Sequence, residues 1–165
     1  MYKLSEAIQY VLRKARVADV PVISDIINHQ AQKGLMLPRP LAWIYDNIRD
    51  YMVSEVEGKV IGCGALHVMW SDLAEIRALA LCEDYIGKGF GRPIVESLLS
   101  EAGELGINRV FVLTYKDKFF ERFNFKVIDK SDLPHKIWSD CVNCVHFPNC
   151  NEIAMIYLIS DGECS

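Results

Sequence analysis

The stretch that most constrains this chain runs from residue 74 to residue 105, AEIRALALCEDYIGKGFGRPIVESLLSEAGEL. An apolar strand pattern passes directly into Ile86-Gly87-Lys88-Gly89-Phe90-Gly91, and an amphipathic helical pattern follows at once. Three glycines in five positions strip the side chains from a turn that ends at a helix N-terminus. Backbone amides and the positive end of the helix dipole coincide there, so the turn suits an anion, with phosphate or pyrophosphate the natural ligand.

The rest of the chain supplies strands and helices around this unit. Residues 10–15 (YVLRKA) read as a first strand. Asp19 is placed to cap a helix with Pro21 in its first turn, because Val22, Ile23, Ile26, Ile27 and Ala31 recur at helical spacing. Gly34 suits the position just past that helix. Residues 35–40 contain two prolines and cannot be helical. A second helix is expected over 41–49, with Trp43, Ile44 and Ile48 turned inward. Residues 51–56 alternate as a strand, Glu57-Gly58 is a hairpin turn, and 59–70 form the partner strand. Gly62 and Gly64 in that partner leave room for a close neighbour or a bulge. After a turn at Ser71-Asp72 comes the central strand, 74–81. The helix behind the glycine turn carries Ile94, Val95, Leu98, Leu99, Ala102 and Leu105 on one face and stops at Gly106. A buried strand over 109–114, a short helix over 119–123, a left-handed turn at Asn124 and strands over 125–128 and 151–158 complete the order β-α-α-β-β-β-α-β-α-β-β. The fold class is therefore α/β, a single domain over residues 1–165 with a mixed sheet.

Composition narrows the function. At 165 residues, 51% apolar and 24% charged, the chain can bury a full core. A net charge of −4 with no dominant basic face argues against nucleic acid as a partner. No apolar run approaches the roughly 20 residues of a membrane span, and MYKLSEAIQY lacks an apolar signal core. A cytoplasmic location with no membrane partner is the expectation.

Two familiar nucleotide fingerprints fail at the glycine turn. The dinucleotide pattern G-x-G-x-x-G fits Gly89 and Gly91 but meets Ile94, and no βαβ unit opens the chain. In the P-loop pattern a Ser or Thr must follow Gly-Lys, whereas Gly89 follows Gly87-Lys88. The run LALCEDYIGKGFGRPIVESLL instead resembles the acetyl-CoA motif of the GNAT superfamily of N-acetyltransferases, Arg/Gln-x-x-Gly-x-Gly/Ala after a central strand. The element order is also that of the family, whose sheet is mostly antiparallel and flanked by helices. The resemblance implies acetyl-CoA as co-substrate and no metal. It puts Leu79, Ala80 and Leu81 along the pantetheine arm and the loop residues Ile86, Gly87, Lys88, Gly89, Phe90 and Gly91 around the pyrophosphate. The family's Arg or Gln falls on Ile86, so backbone amides must do the holding, with Lys88 or Arg92 supplying charge.

Acetyl transfer needs a neutral amine and a way to protonate the departing thiolate. By strand alternation Glu75 and Arg77 share a face with Leu79 and Leu81. Glu75 is the candidate base, directly or through water; alternatively it pairs with Arg77 or another charge. In many family members a tyrosine in the short helix is the acid. That motif position, next to the cofactor, falls on Phe120 here, so Tyr115 is the nearest replacement, unless it is simply an aromatic packed at a strand end.

A closer resemblance is to the short bacterial N-acetylglutamate synthases, through GLMLPRP, DLAEIRALAL, RVFVLTYKDKFFERFNF and DLPHKIWSDCVNC…FPNCNEIAM. It implies acetylation of the α-amine of L-glutamate, the first step of arginine biosynthesis. A dicarboxylate acceptor calls for cationic side chains, and Arg39, Arg77 and Lys33 are the candidates. Two rivals remain open: another amine (a different amino acid, a polyamine or a protein N-terminus), and a non-catalytic acyl-CoA sensor. Relatives with regulated arginine synthesis often carry an amino-acid-kinase domain. This length leaves no room for one, so arginine feedback through such a domain is not expected; a homodimer is the assembly considered.

Near the end, Cys141, Cys144 and Cys150 lie close in sequence to His135 and His146. A zinc site could be drawn from them, yet a single C-x-x-C is half of the usual pattern, and packed, reduced thiols are the expectation.

Overall fold

The structure is a computed structural model and describes residues 9–134 and 152–159. Strand β1 (Tyr10–Lys14) leads through a 3-10 turn into helix α1 (Val20–Gln32), and α2 (Leu41–Asp46) follows the proline-bounded connection. Strands β2 (Tyr51–Val56), β3 (Lys59–Trp70) and β4 (Leu73–Leu81) precede helix α3 (Gly91–Glu104). Strand β5 (Arg109–Thr114), the short α4 (Asp117–Glu121), β6 (Lys126–Val127) and β7 (Ile153–Leu158) complete the order. The seven strands form one sheet in the order β1-β2-β3-β4-β5-β7-β6. β4 and β5 pair in parallel, while β1–β2, β5–β7 and β6–β7 are antiparallel. This is the mixed, mostly antiparallel α/β sheet that the sequence predicts.

The chain forms two compact units. The first comprises residues up to Gly64 together with Ala78–Glu96. Its core takes Val20, Ile23 and Ile27 from one face of α1, Ile44 from α2, and Tyr51, Val53 and Ile61 from the sheet, all fully buried. Each buried isoleucine contributes about 1.5–3 kcal/mol. The hairpin between β2 and β3 turns on Glu57 and Gly58 with φ of 52° and 78°, as their sequence signal requires. The second unit comprises Ala65–Arg77 and the residues from Ser97 onward. Met69, Leu73, Phe111, Leu133 and Ala154 pack together there, with Leu113 and Ile128 at their edge.

Three local expectations give way to side-chain competition, and one strand is shorter than expected. Asp19 precedes α1 but its carboxylate does not cap that helix. It accepts from the Arg16 amide at 2.7 Å and from both terminal nitrogens of Arg13 at 2.7 and 2.9 Å, because a guanidinium fork offers charge-assisted bonds that a helix amide cannot match. The second helix stops at Asp46 rather than 49. The Asn47 side-chain amide donates to the Trp43 carbonyl at 2.8 Å, and the chain continues as a 3-10 turn over Ile48–Asp50. The short helix begins at Asp117, two residues early, after Thr114 Oγ1 accepts the Lys116 amide at 2.8 Å. The strand expected over 125–128 narrows to Lys126–Val127.

The Arg13 fork holds the Asp19 carboxyl below its ordinary value, against the opposing effect of burial. A carboxyl depressed in the folded state lends stability that is full above the unfolded value of about 3.9 and is lost as pH falls through the lower folded value. Asp19→Asn should therefore cost about 1–3 kcal/mol at pH 7, and the gap to the wild type should close in acid. Denaturant titrations across pH measure this; a gap independent of pH would refute it.

Candidate active site

The central strand is not a regular strand. Ala78 has φ of 56°, a left-handed backbone inside β4. A non-glycine residue held there is uncommon and strained, and within a strand it marks a bulge that takes a peptide out of the ladder. The simple alternation drawn from Glu75 and Arg77 through Leu79 and Leu81 is therefore broken at Ala78. Leu79 and Leu81 are half-buried and Ala80 is buried. Beyond the bulge the strand is firmly tied. The Cys82 amide donates to the Ile61 carbonyl at 2.7 Å, and the Gln30 side-chain amide of α1 donates to the Leu81 carbonyl at 3.2 Å. Gly62 of β3 is essential to this approach. A Cβ there would stand 2.5 Å from Leu81 Cδ2, 2.9 Å from Ser54 Oγ and 3.3 Å from the Ala80 carbonyl oxygen.

The glycine turn has the geometry its sequence suggests. Gly87 and Gly89 adopt φ of 77° and 86°, and a Cβ on either would meet nothing within 4 Å, so the turn presents open backbone. The Ile86 amide is already used, donating to the Glu83 carbonyl at 3.2 Å. Residues 86–89 form a hydrogen-bonded turn that gathers the amides of Gly87, Lys88, Gly89 and Phe90 on one short loop. Four adjacent amides beside the start of α3 are the donor set a phosphate needs. Phe90 anchors the turn: its ring meets Tyr85 edge-on at 5.1 Å and Tyr10 at 6.0 Å. Arg92 pairs with Glu96 one helical turn on, at 3.3 Å, and Lys88 is exposed.

Two of the expected acceptor cations lie in the same unit and have other contacts. Arg39 is stacked on Trp43, its guanidinium carbon 4.1 Å from the ring centroid, and Trp43 meets Tyr51 edge-on. Its backbone is clamped by Asn28 of α1, whose side chain accepts from the Arg39 amide at 3.1 Å and donates to its carbonyl at 3.3 Å. The guanidinium thus has a prepared position. Lys33 instead pairs with Glu83 in the turn before the glycine loop, and His29 lies 3.4 Å from the same carboxylate. The Lys33 hydrogen bond, then His29, hold the Glu83 carboxyl below its ordinary range. Sequence reasoning missed Glu83, Asn28 and His29; only the packing of α1 beside the end of β4 reveals them.

In the second unit, Glu75 is half-buried opposite Phe111 in the parallel register, and Arg77 is only 8% exposed. Tyr115 lies half-buried just past β5. Phe120 is 3% exposed, its ring 5.0 Å from Phe119 and 5.3 Å from Phe125. Among the described residues no group of three or more His, Cys, Asp or Glu side chains could hold a metal ion. Cys141, Cys144, Cys150, His135 and His146 lie outside the described residues. No described helix is long and apolar enough to cross a membrane.

Comparison with known proteins agrees with this geometry. The sequence profile of the acetyltransferase (GNAT) family matches residues 22–125. An uncharacterized N-acetyltransferase of Chlorobaculum tepidum is 45% identical over 88% of this chain and 94% of its own length. An amino-acid acetyltransferase of Mycobacterium tuberculosis is 40% identical over 79% of this chain and 76% of its own. Among solved structures, a Mycobacterium tuberculosis protein in complex with CoA superposes with a TM-score of 0.79 at 34% identity, over 90% of this chain and 99% of its own. An N-acetylglutamate synthase of Neisseria gonorrhoeae superposes with a TM-score of 0.83 at 24% identity, over 93% of this chain and 36% of its own, a likeness of fold. The chain belongs to the GNAT family of acetyltransferases. It is an acetyl-CoA-dependent N-acetyltransferase, with relatives named amino-acid acetyltransferases.

Because a methyl group at Gly62 presses on Leu81 and the Ala80 carbonyl, Gly62→Ala should displace the end of β4. The expected result is a loss of about 1–3 kcal/mol in stability and CoA binding weaker by roughly tenfold. Thermal melting and calorimetric titration with CoA read both; wild-type affinity would show that the contact is relieved elsewhere.

Proposed function

We propose that this enzyme acetylates the α-amine of L-glutamate, and that the reaction is carried by β4 and the glycine turn. Acetyl-CoA supplies the activated acyl group. The backbone amides of residues 87–90 and the N-terminus of α3 suit its pyrophosphate, with Lys88 and Arg92 adding positive charge. The Leu79, Ala80 and Leu81 backbone runs along the pantetheine arm. Glu75 takes the proton of the substrate ammonium, directly or through water, and the neutral amine attacks the thioester carbonyl. A β4 amide at Leu79 or Ala80 receives the developing oxyanion, and Tyr115 or solvent protonates the departing CoA thiolate.

The observation that carries the choice of acceptor is Arg39, whose backbone is clamped by Asn28 and whose guanidinium is stacked on Trp43. A fork held in place with its planar face covered favours a carboxylate, which it can grip bidentately. Arg77 provides a second cation on the strand that carries Glu75, as an α-carboxylate and a side-chain carboxylate together require. The 40% identity to an amino-acid acetyltransferase supports an amino-acid acceptor. Lys33, committed to Glu83, is a support of the loop in this reading rather than a substrate ligand.

CoA release measured with acetyl-CoA and a panel of amino acids, polyamines and peptide N-termini tests the proposal. Glutamate should give the highest kcat/KM, and a preference for a neutral or basic amine would overturn it. Arg39→Ala should raise the KM for glutamate by about tenfold or more, with little change for acetyl-CoA. Equal changes in both would remove its role. Glu75→Gln should lower kcat by roughly 10²–10⁴ while CoA still binds. Tight CoA binding without turnover of any amine would favour a sensor.

A further inference from the structure

Cys63 is fully buried in β3, and its thiol donates to the carbonyl of Ala78 at 3.4 Å. Ala78 is the residue whose left-handed backbone breaks the ladder of β4. A carbonyl inside a core needs a donor, and the Cys63 thiol supplies one to Ala78. Burial pushes the thiol pKa up to about 12, opposed by the neighbouring Ala80 amide, so the S–H proton stays in place throughout the working range. One small side chain therefore touches both peptides that flank Leu79.

We infer that Cys63 is a positioning residue for acetyl transfer: its thiol holds the carbonyl of the left-handed Ala78 peptide so that the Leu79 amide, on the opposite side of that peptide, faces the thioester. The inference rests on the reading of β4 as the strand that receives the oxyanion. The affinity for CoA comes mainly from the glycine turn, so loss of the thiol acts on turnover more than on binding. A cysteine buried only for packing would act on stability alone.

Kinetics and hydrogen exchange on the full chain test this. Cys63→Ala should lower kcat by about three- to tenfold with less than about a twofold change in the KM for acetyl-CoA, and Cys63→Ser, which keeps a donor, should recover most of it. Glycine adopts the left-handed region freely, so Ala78→Gly should shrink the effect of Cys63→Ala to roughly twofold or less. Should the alanine variant unfold, Cys63→Val fills the site without a donor and carries the same expectation. Unchanged kcat in the donor-less variants, or a loss of the same size whether or not Ala78→Gly is also present, would overturn the inference.

Exchange of amides over residues 76–82 in the CoA-free protein needs no acceptor. It should quicken by about threefold or more in Cys63→Ala and return toward the wild type in Cys63→Ser. A wild type that fails to turn over glutamate counts against the proposed acceptor while this exchange result stands; unaltered exchange counts against Cys63 whatever the acceptor.

Discussion

A strand in the middle of a sheet normally gives all its amides and carbonyls to its neighbours, yet an enzyme that binds an extended thioester along a strand must keep some of them back. The left-handed peptide at Ala78 resolves that conflict in β4. It removes one peptide from the ladder, at a conformational cost an alanine does not bear without support. The surroundings provide that support. The thiol of Cys63 meets the Ala78 carbonyl, Gly62 lets β3 close on Ala80 and Leu81, and Gln30 of α1 takes the Leu81 carbonyl. The strand thereby carries a left-handed peptide at Ala78 and is tied to its neighbours beyond it.

The loop that follows depends on the same economy of hydrogen bonds. Ile86 uses its amide inside the turn, and two left-handed glycines shape the residues that follow. Nothing in that arrangement needs the Arg or Gln that many relatives carry at the first motif position. Aromatic packing of Phe90 on Tyr85 and Tyr10, and the pairing of Glu83 with Lys33 and His29, hold the loop from its two ends. Charge near the site is arranged locally: a net charge of −4 coexists with a prepared guanidinium at Arg39 and a buried one at Arg77. A carboxylate ligand responds to the nearest guanidinium far more than to the distant sum.

Much of the fold was legible because its signals are local. Glu57-Gly58, Asn124 and Gly34 all adopt the left-handed backbone their positions in the sequence suggest. The periodic faces of α1 and α3 bury the residues that repeat at helical spacing, such as Ile23, Ile27, Ile94 and Leu98. Where the reading departed from the structure, a side chain chose a partner that spacing does not reveal. Asp19 turned to Arg13 instead of the helix, and Asn47 ended α2 by bonding back to Trp43. Phe120, marked beside the cofactor by its motif position, is buried among Phe119 and Phe125.

By itself the sequence determined the order of the elements, the glycine turn and its suitability for an anion, because glycine conformation and hydrophobic period act over a few residues. Only the tertiary structure decided where β4 departs from a strand and which cations are prepared for an acceptor. Alanine carries no mark of a left-handed backbone, and cysteine none of a carbonyl donor, until strands β3 and β4 lie side by side. Such roles arise from contacts between residues far apart in the chain, and the packing of the core alone selects them.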